Sequence, residues 1–211
     1  MKPTGTIEFT GTVLAVLAAA MLACGCGADE GARAVALDWS RTGPPGSGAA
    51  YWPAPYGTLV AAARSLRRMV CRRASPRRYG VHVELFAAGY VVVVPAGIGL
   101  APPQRRAGPV VVSGRCSYPL RTVEPTGVIE VDSGGSPPTL GDLFALWGQP
   151  LDSRRLAGFR APSGSVVSAY VDGRRWPGSL RGIPLRRHVV VVLEVASHVA
   201  PHPSYAFAPG L

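Results

Sequence analysis

From Val81 to Phe86 apolar residues alternate with polar ones: Val81, Val83 and Leu85 are separated by His82 and Glu84, and the pattern stops at Ala88-Gly89. A period of two is that of a β-strand. Tyr90 to Val94 follows as a β-branched run stopped by Pro95 and Gly97, so the two runs predict a β-hairpin. Val110 to Val112 and Thr126 to Val131 read as further strands, and Gly134 to Pro138 as a loop. Beyond it the period changes. Leu140, Leu143, Phe144 and Trp147 recur at helical spacing and give one apolar face, with Thr139 and Asp142 placed as a Thr-x-x-Asp capping box and Gly148 as a stop. Ser165 to Val171 leads into the tight-turn pair Asp172-Gly173 and returns through Arg175 and Trp176. His188 to Val195 is apolar enough for a central strand buried on both faces. These elements predict an α+β, β-dominated domain, a mixed sheet of hairpins packed on one main helix, in an order that a β-grasp-like sheet would satisfy.

The two ends of the chain carry other information. Lys2 and the apolar run Thr12 to Ala23 have the size of a signal peptide, and the run is too short to span a bilayer. It ends in Met21-Leu22-Ala23-Cys24-Gly25-Cys26, small residues followed by cysteine, which resembles the lipobox of bacterial lipoproteins. Cys24 and Cys26 are alternative lipidation sites, and the resemblance implies a diacylglycerol on the thiol. Residues 1–23 are thus expected as a leader, residues 24–58, rich in Gly, Pro, Ser and Ala, as a tether, and residues 59–211 as one globular domain with a Pro-rich C-terminal tail. A short helix is expected over Leu59 to Val70. Export places Cys71 and Cys116 in a compartment that permits disulfides, so they form a candidate pair, with two separately buried thiols as the alternative.

Composition narrows the function classes. The 211-residue chain carries a formal charge of +10, yet Lys2 is its only lysine, and arginine-rich composition alongside heavy Ala, Gly, Pro and Val usage is the profile of a GC-rich coding bias. A solvated basic surface accounts for the charge without a nucleic-acid partner. No phosphate loop, dinucleotide fingerprint, zinc-finger spacing or nucleic-acid motif is present, which disfavours an enzyme and implies no cofactor.

The segments Cys116 to Glu124 (CSYPLRTVE), Thr126 to Val131 (TGVIEV) and Leu140 to Leu151 (LGDLFALWGQPL) resemble a family of exported or membrane-anchored bacterial proteins with the pattern C-x-Y-x-L-H-T-H-D, G-I-I-H-I-E-S and L-G-x-F-F-x-x-W-G-Q-P-L. Upstream, His82 to Leu85 and Val94 to Gly99 are similar to its H-A-H-L and V-P-A-x-I-G. The likeness spans roughly Cys71 to Val195. Histidines two apart on a strand share a face, so the family pattern implies a transition-metal cluster. In this chain only His82 stands at one of those positions; Glu84, Arg121, Val123 and Glu130 occupy the others. Arg121 stays protonated and Val123 has no donor atom, so neither ligates a cation. The expectation is a member that keeps the fold and has lost the metal, with an arginine–carboxylate salt bridge in the former cavity. The alternative is residual transition-metal handling at His82, Glu84 and Glu130.

Other candidate chemistry is thinner. Asp132-Ser133-Gly134-Gly135 has a superficial likeness to a serine-protease nucleophile loop, but Ser136 interrupts it and no histidine segment accompanies it, so Ser133 reads as a strand-ending turn. His198 and His202 are separated by four, yet Pro201 and Pro203 forbid the helix that would align them; they and His188 read as surface or packing residues. Trp52, Tyr56, Tyr205 and Phe207 sit in Pro-rich segments, where aromatics tuck onto a domain or offer a partner surface. The sequence therefore predicts a lipoprotein on the outer face of the cytoplasmic membrane, or a secreted protein, with a binding or structural role, held by its lipid and meeting a partner in the cell envelope.

Overall fold

The computed structural model describes residues 51–52 and 69–211. The expected leader, Cys24, Cys26, most of the tether, Tyr56 and nearly all of the helix expected over 59–70 lie outside the described residues. Among the described residues no helix is long and apolar enough to cross a membrane.

The fold is α+β and dominated by strands. In chain order the strands of the main sheet are β1 (Tyr51–Trp52), β2 (Arg78–Ala87) and β3 (Tyr90–Val92), then β6 (Leu120–Arg121), β7 (Val128–Asp132), β11 (Ser168–Val171), β12 (Arg174–Arg175) and β13 (Val190–Val195). Its path runs β1, β3, β2, β13, β11, β12, with β7 also on β2 and β6 on β7. The central strands β2 and β13 are parallel, in register from His82 opposite Val190 to Ala87 opposite Val195. Each has an antiparallel neighbour, β3 on β2 and β11 on β13. The connection between the parallel pair contains the helix α1 (Leu140–Trp147). Small pairings complete the domain: β4 (Arg105–Ala107) with β5 (Val110–Ser113), and β8 (Leu151–Asp152) with β9 (Arg155–Leu156) and β10 (Phe159–Arg160).

Local chemistry explains where these elements stop. The Thr139 hydroxyl accepts the Asp142 N–H while the Asp142 carboxylate accepts the Thr139 N–H at 2.8 Å, the reciprocal box that satisfies two free donors of α1. Gly148 ends the helix in the left-handed conformation. Both hairpin turns take positive φ at their two central residues, Ala88-Gly89 and Asp172-Gly173, and so match the twist of the strands they join. Some expected strands are shorter than their apolar runs. β3 ends at Val92, β7 begins only after Gly127 turns at φ +78°, and β11 begins at Ser168.

The helix covers one face of the sheet. Val81, Val83, Leu85, Ile129, Val191 and Leu193 point to that side and form one buried cluster with Leu140, Leu143, Phe144 and Trp147. Burying each such side chain is worth about 1.5–3 kcal/mol, so this layer is the main source of stability. The opposite face carries Arg78, His82, Glu84 and Phe86 on β2, with Val190, Val192 and Glu194 on β13. It too is buried, and α1 does not cover it. The cover comes from the C-terminal segment beyond β13.

Candidate functional site

Residues 198–211 run along β2 in the direction opposite to that strand, and side chain after side chain meets the sheet. Val199 N–H donates to Glu194 Oε1 at 2.8 Å. His202 Nδ1 lies 2.7 Å from Glu84 Oε2 and, since a carboxylate only accepts, the imidazole donates. The Tyr205 ring stacks on His82 at 3.9 Å, and Phe207 stacks on His188 at 4.7 Å. Phe207 occupies the space above Gly80, where a Cβ would stand 2.4 Å from its ring. His188 Nε2 lies 2.7 Å from the backbone oxygen of Leu211. All four histidines of the chain stand at this seam, including His198, whose exposed ring is 3.8 Å from Glu194.

At the centre of the seam His82 is 1% exposed. Its Nε2 is 3.2 Å from the Thr126 carbonyl, which requires a hydrogen on Nε2. Its Nδ1 stands 3.2 Å from Glu84 Oε1, close enough for a charged pair but off the hydrogen-bonding direction. Neither atom has a hydrogen-bonding partner among the described residues. Gly127 holds the loop beside them: it accepts the Val83 N–H through its carbonyl at 2.9 Å, and a Cβ there would lie 2.5 Å from the Val83 oxygen.

Next to this centre, toward the start of β2, lies a charged quartet. Arg121 on β6 and Glu130 on β7 face each other in register, and the Arg121 guanidinium donates to Glu130 Oε2 through Nε at 2.8 Å. Arg78 Nη1 lies 3.0 Å from Asp132 and its Nε 3.7 Å from Glu130. Burial, and then the charge of Arg121, lower the Arg78 pKa from its ordinary value against the pull of Asp132 and Glu130. The expected arginine–carboxylate bridge is therefore present, and the register sets Glu130 opposite Gly80. His82 and Glu84 come together with His202, whose place between Pro201 and Pro203 reads in the sequence as a surface or packing position. Among the described residues no group of three His, Cys, Asp or Glu side chains is arranged to hold a metal ion.

The remaining candidates have plain structural surroundings. Cys71 and Cys116 form a disulfide, and the neighbouring Arg72 and Ser117 exchange backbone hydrogen bonds at 2.9 and 2.8 Å. Thr122 joins the segment 94–99 to the segment 116–124: its hydroxyl donates to the Pro95 carbonyl and accepts the Ile98 N–H. The Ser133 hydroxyl donates to Arg77 O. Trp52 lies on β1, its backbone in register with Val92.

Glu194 is the most deeply buried carboxylate at the seam. Burial raises its pKa, opposed by the Val199 N–H and by His198. A carboxyl with a raised folded pKa holds its proton more tightly when folded, so between the unfolded and folded values stability falls as pH rises. Glu194→Gln keeps an acceptor for Val199 and removes the ionisation. It is expected to raise the urea midpoint near pH 7 and to leave it unchanged near pH 3, about a unit or more below the ordinary glutamate value. A lower midpoint at neutral pH would show instead that the charge is held favourably.

No protein-family model, no curated protein and no solved structure matches this chain. Its function has to be argued from the site and from the sequence around it.

Proposed function

We propose that this protein is an exported, membrane-tethered extracytoplasmic domain with a non-enzymatic binding or envelope-structural role. The observation that carries the reading is the Cys71–Cys116 disulfide, since such bonds persist in oxidising compartments and are rare in the cytosol. The leader ending in Cys24 and Cys26 supplies the route out and the anchor. Two observations support a non-catalytic role: Arg121 and Arg78 are paired with Glu130 and Asp132, and the Ser133 hydroxyl donates to a backbone carbonyl.

Replacing both Cys24 and Cys26 by alanine tests the tether. In the native host the unaltered protein is expected in the membrane fraction, and the double variant in the soluble extracytoplasmic fraction or the medium. A double variant that stayed with the membrane would contradict lipid attachment at these residues.

A further inference from the structure

At the start of β11 the sheet edge opens into a groove of about 430 Å³, with buried Val167 and Ala169 at its base. Two backbone hydrogen bonds fasten its walls to that base: Val167 N–H donates to Ser153 O at 2.9 Å on the β8 side, and Trp176 N–H donates to Ala169 O at 2.8 Å on the β12 side. A second groove, of about 260 Å³, lies between the Asp172 turn and the segment leading into β13. Trp176 lines both. Its indole packs partly against the core, and Nε1 donates to Ser179 O at 3.1 Å. A Cβ at Gly178 would stand 3.1 Å from that nitrogen, so glycine gives the chain its close approach to the ring.

The polar groups around the indole define what the grooves would hold. Arg175 and Arg181 line the first and Arg186 and Arg187 the second. All four are exposed, and the arginine–carboxylate pairs among the described residues involve Arg78, Arg121 and Arg155 instead. The carboxylates that line the grooves are occupied. Asp152 accepts from Arg155 Nε at 2.9 Å and from the Arg154 N–H at 2.8 Å, and Asp172 accepts the Val190 N–H at 2.9 Å. Positive charge therefore prevails in both grooves, and guanidinium groups hold carboxylates in a fixed, two-pronged geometry. Ser153, Ser168 and Ser179 add hydroxyls to the first groove that make no hydrogen bond among the described residues. A hydroxyl both donates and accepts, as those of a sugar do, and an indole offers an apolar face to the C–H groups of a sugar ring. The larger groove falls within the roughly 300–1,000 Å³ of small-molecule sites, and the shared Trp176 lets a longer ligand pass from one groove to the other.

We propose that the two grooves form one binding surface for an acidic polysaccharide, with a sugar ring on Trp176 and a carboxylate-bearing neighbour on each side, one reaching Arg175 and Arg181 and the other Arg186 and Arg187. The Tyr79 ring, 5.3 Å from the Arg187 guanidinium carbon, steadies one end of this row. Hydroxyls beside the indole favour a sugar chain over an acidic peptide or a nucleic acid. The inference deepens the binding role proposed above and fails independently of it, since fractionation reads the anchor and ligand titration reads the grooves.

The test titrates the full-length mature protein, solubilised in detergent, with tetragalacturonate at constant ionic strength and follows the heat of binding. Saturable binding is expected, weaker by about tenfold or more in Trp176→Ala and in the double variant Arg175→Gln with Arg181→Gln, as losing hydrogen bonds to charged groups implies. Both arginines are exposed, so the double variant keeps its melting temperature and reads the surface even if the tryptophan variant is poorly folded. Maltotetraose, which has the sugar rings without the charge, and tetraglutamate and tetrathymidylate, which have the charge without the sugar chain, are each expected to bind about tenfold or more weakly than tetragalacturonate. No saturable binding, an unchanged affinity in the arginine double variant, or equal affinity for any of the three comparison ligands would overturn the proposal.

Discussion

Glu130→Leu is expected to destabilise the domain by about 3 kcal/mol, the lower end of the range for removing one partner of a buried ion pair. Glu130 is the shared acceptor of the quartet. Without it Arg121 faces leucine, and Arg78, only 6% exposed along its side chain, keeps Asp132 and the Ser75 carbonyl. Its pKa is already lowered by burial and by the charge of Arg121. Arg121 retains a fifth of its side chain at the surface and turns outward, which holds the loss below the maximum. The double variant Arg121→Leu with Glu130→Leu removes the pair together and is expected to recover more than half of that stability, because apolar side chains of similar size serve a buried pair's space as well as the charges do. Urea midpoints at unchanged slope measure both effects. A loss under about 1 kcal/mol for the single variant would place the pair among ordinary solvated salt bridges.

Replacing Cys71 and Cys116 by alanine is expected to cost about 4 kcal/mol, from the loop-closure entropy of a bond between residues 45 apart. The native geometry changes little in this variant, since the Arg72 and Ser117 backbones hold the two chains together beside the missing sulfurs. The effect therefore lies in the unfolded chain, which regains the freedom that the cross-link removed. For a body of this size the melting temperature should fall by roughly 10–15 °C. Reducing the unaltered protein should reproduce the shift, and equal melting temperatures with and without reductant would contradict it.

The parts of this fold that are legible in the sequence are those whose own periodicity and turn chemistry decide them. The Thr139 box, the 140–147 helix, the Ala88-Gly89 and Asp172-Gly173 turns and the apolar run of β13 all appear where local pattern places them. The two- and three-residue strands β4, β6, β8, β9 and β10 are too short to show a period, and only tertiary packing selects them. Reading β2 as an alternating strand identifies its helix-facing side and says nothing of what covers His82 and Glu84. The answer lies 118 residues beyond Glu84, at His202 in a Pro-rich segment with no repeat of its own. Tyr205 and Phe207 are legible as aromatics in search of a surface, and which surface they take depends on register. Arg121 and Glu130 are legible as an opposite-charge pair, and the structure sets them across adjacent strands. What no pattern in the sequence reveals is that the C-terminal segment closes over the His82–Glu84 pair, with His202 on Glu84 and Tyr205 on His82.

We propose that the domain is delivered outside the cytoplasm and held there by a lipid. The most direct test is the intact mass of the mature protein taken from the membranes of its own host, measured with and without reductant. A chain beginning at Cys24 or Cys26 with a diacylglycerol adduct is expected, with a gain of about two daltons on reduction of the Cys71–Cys116 bond. An unprocessed chain without lipid, carrying free thiols and recovered from the cytosol, would contradict it.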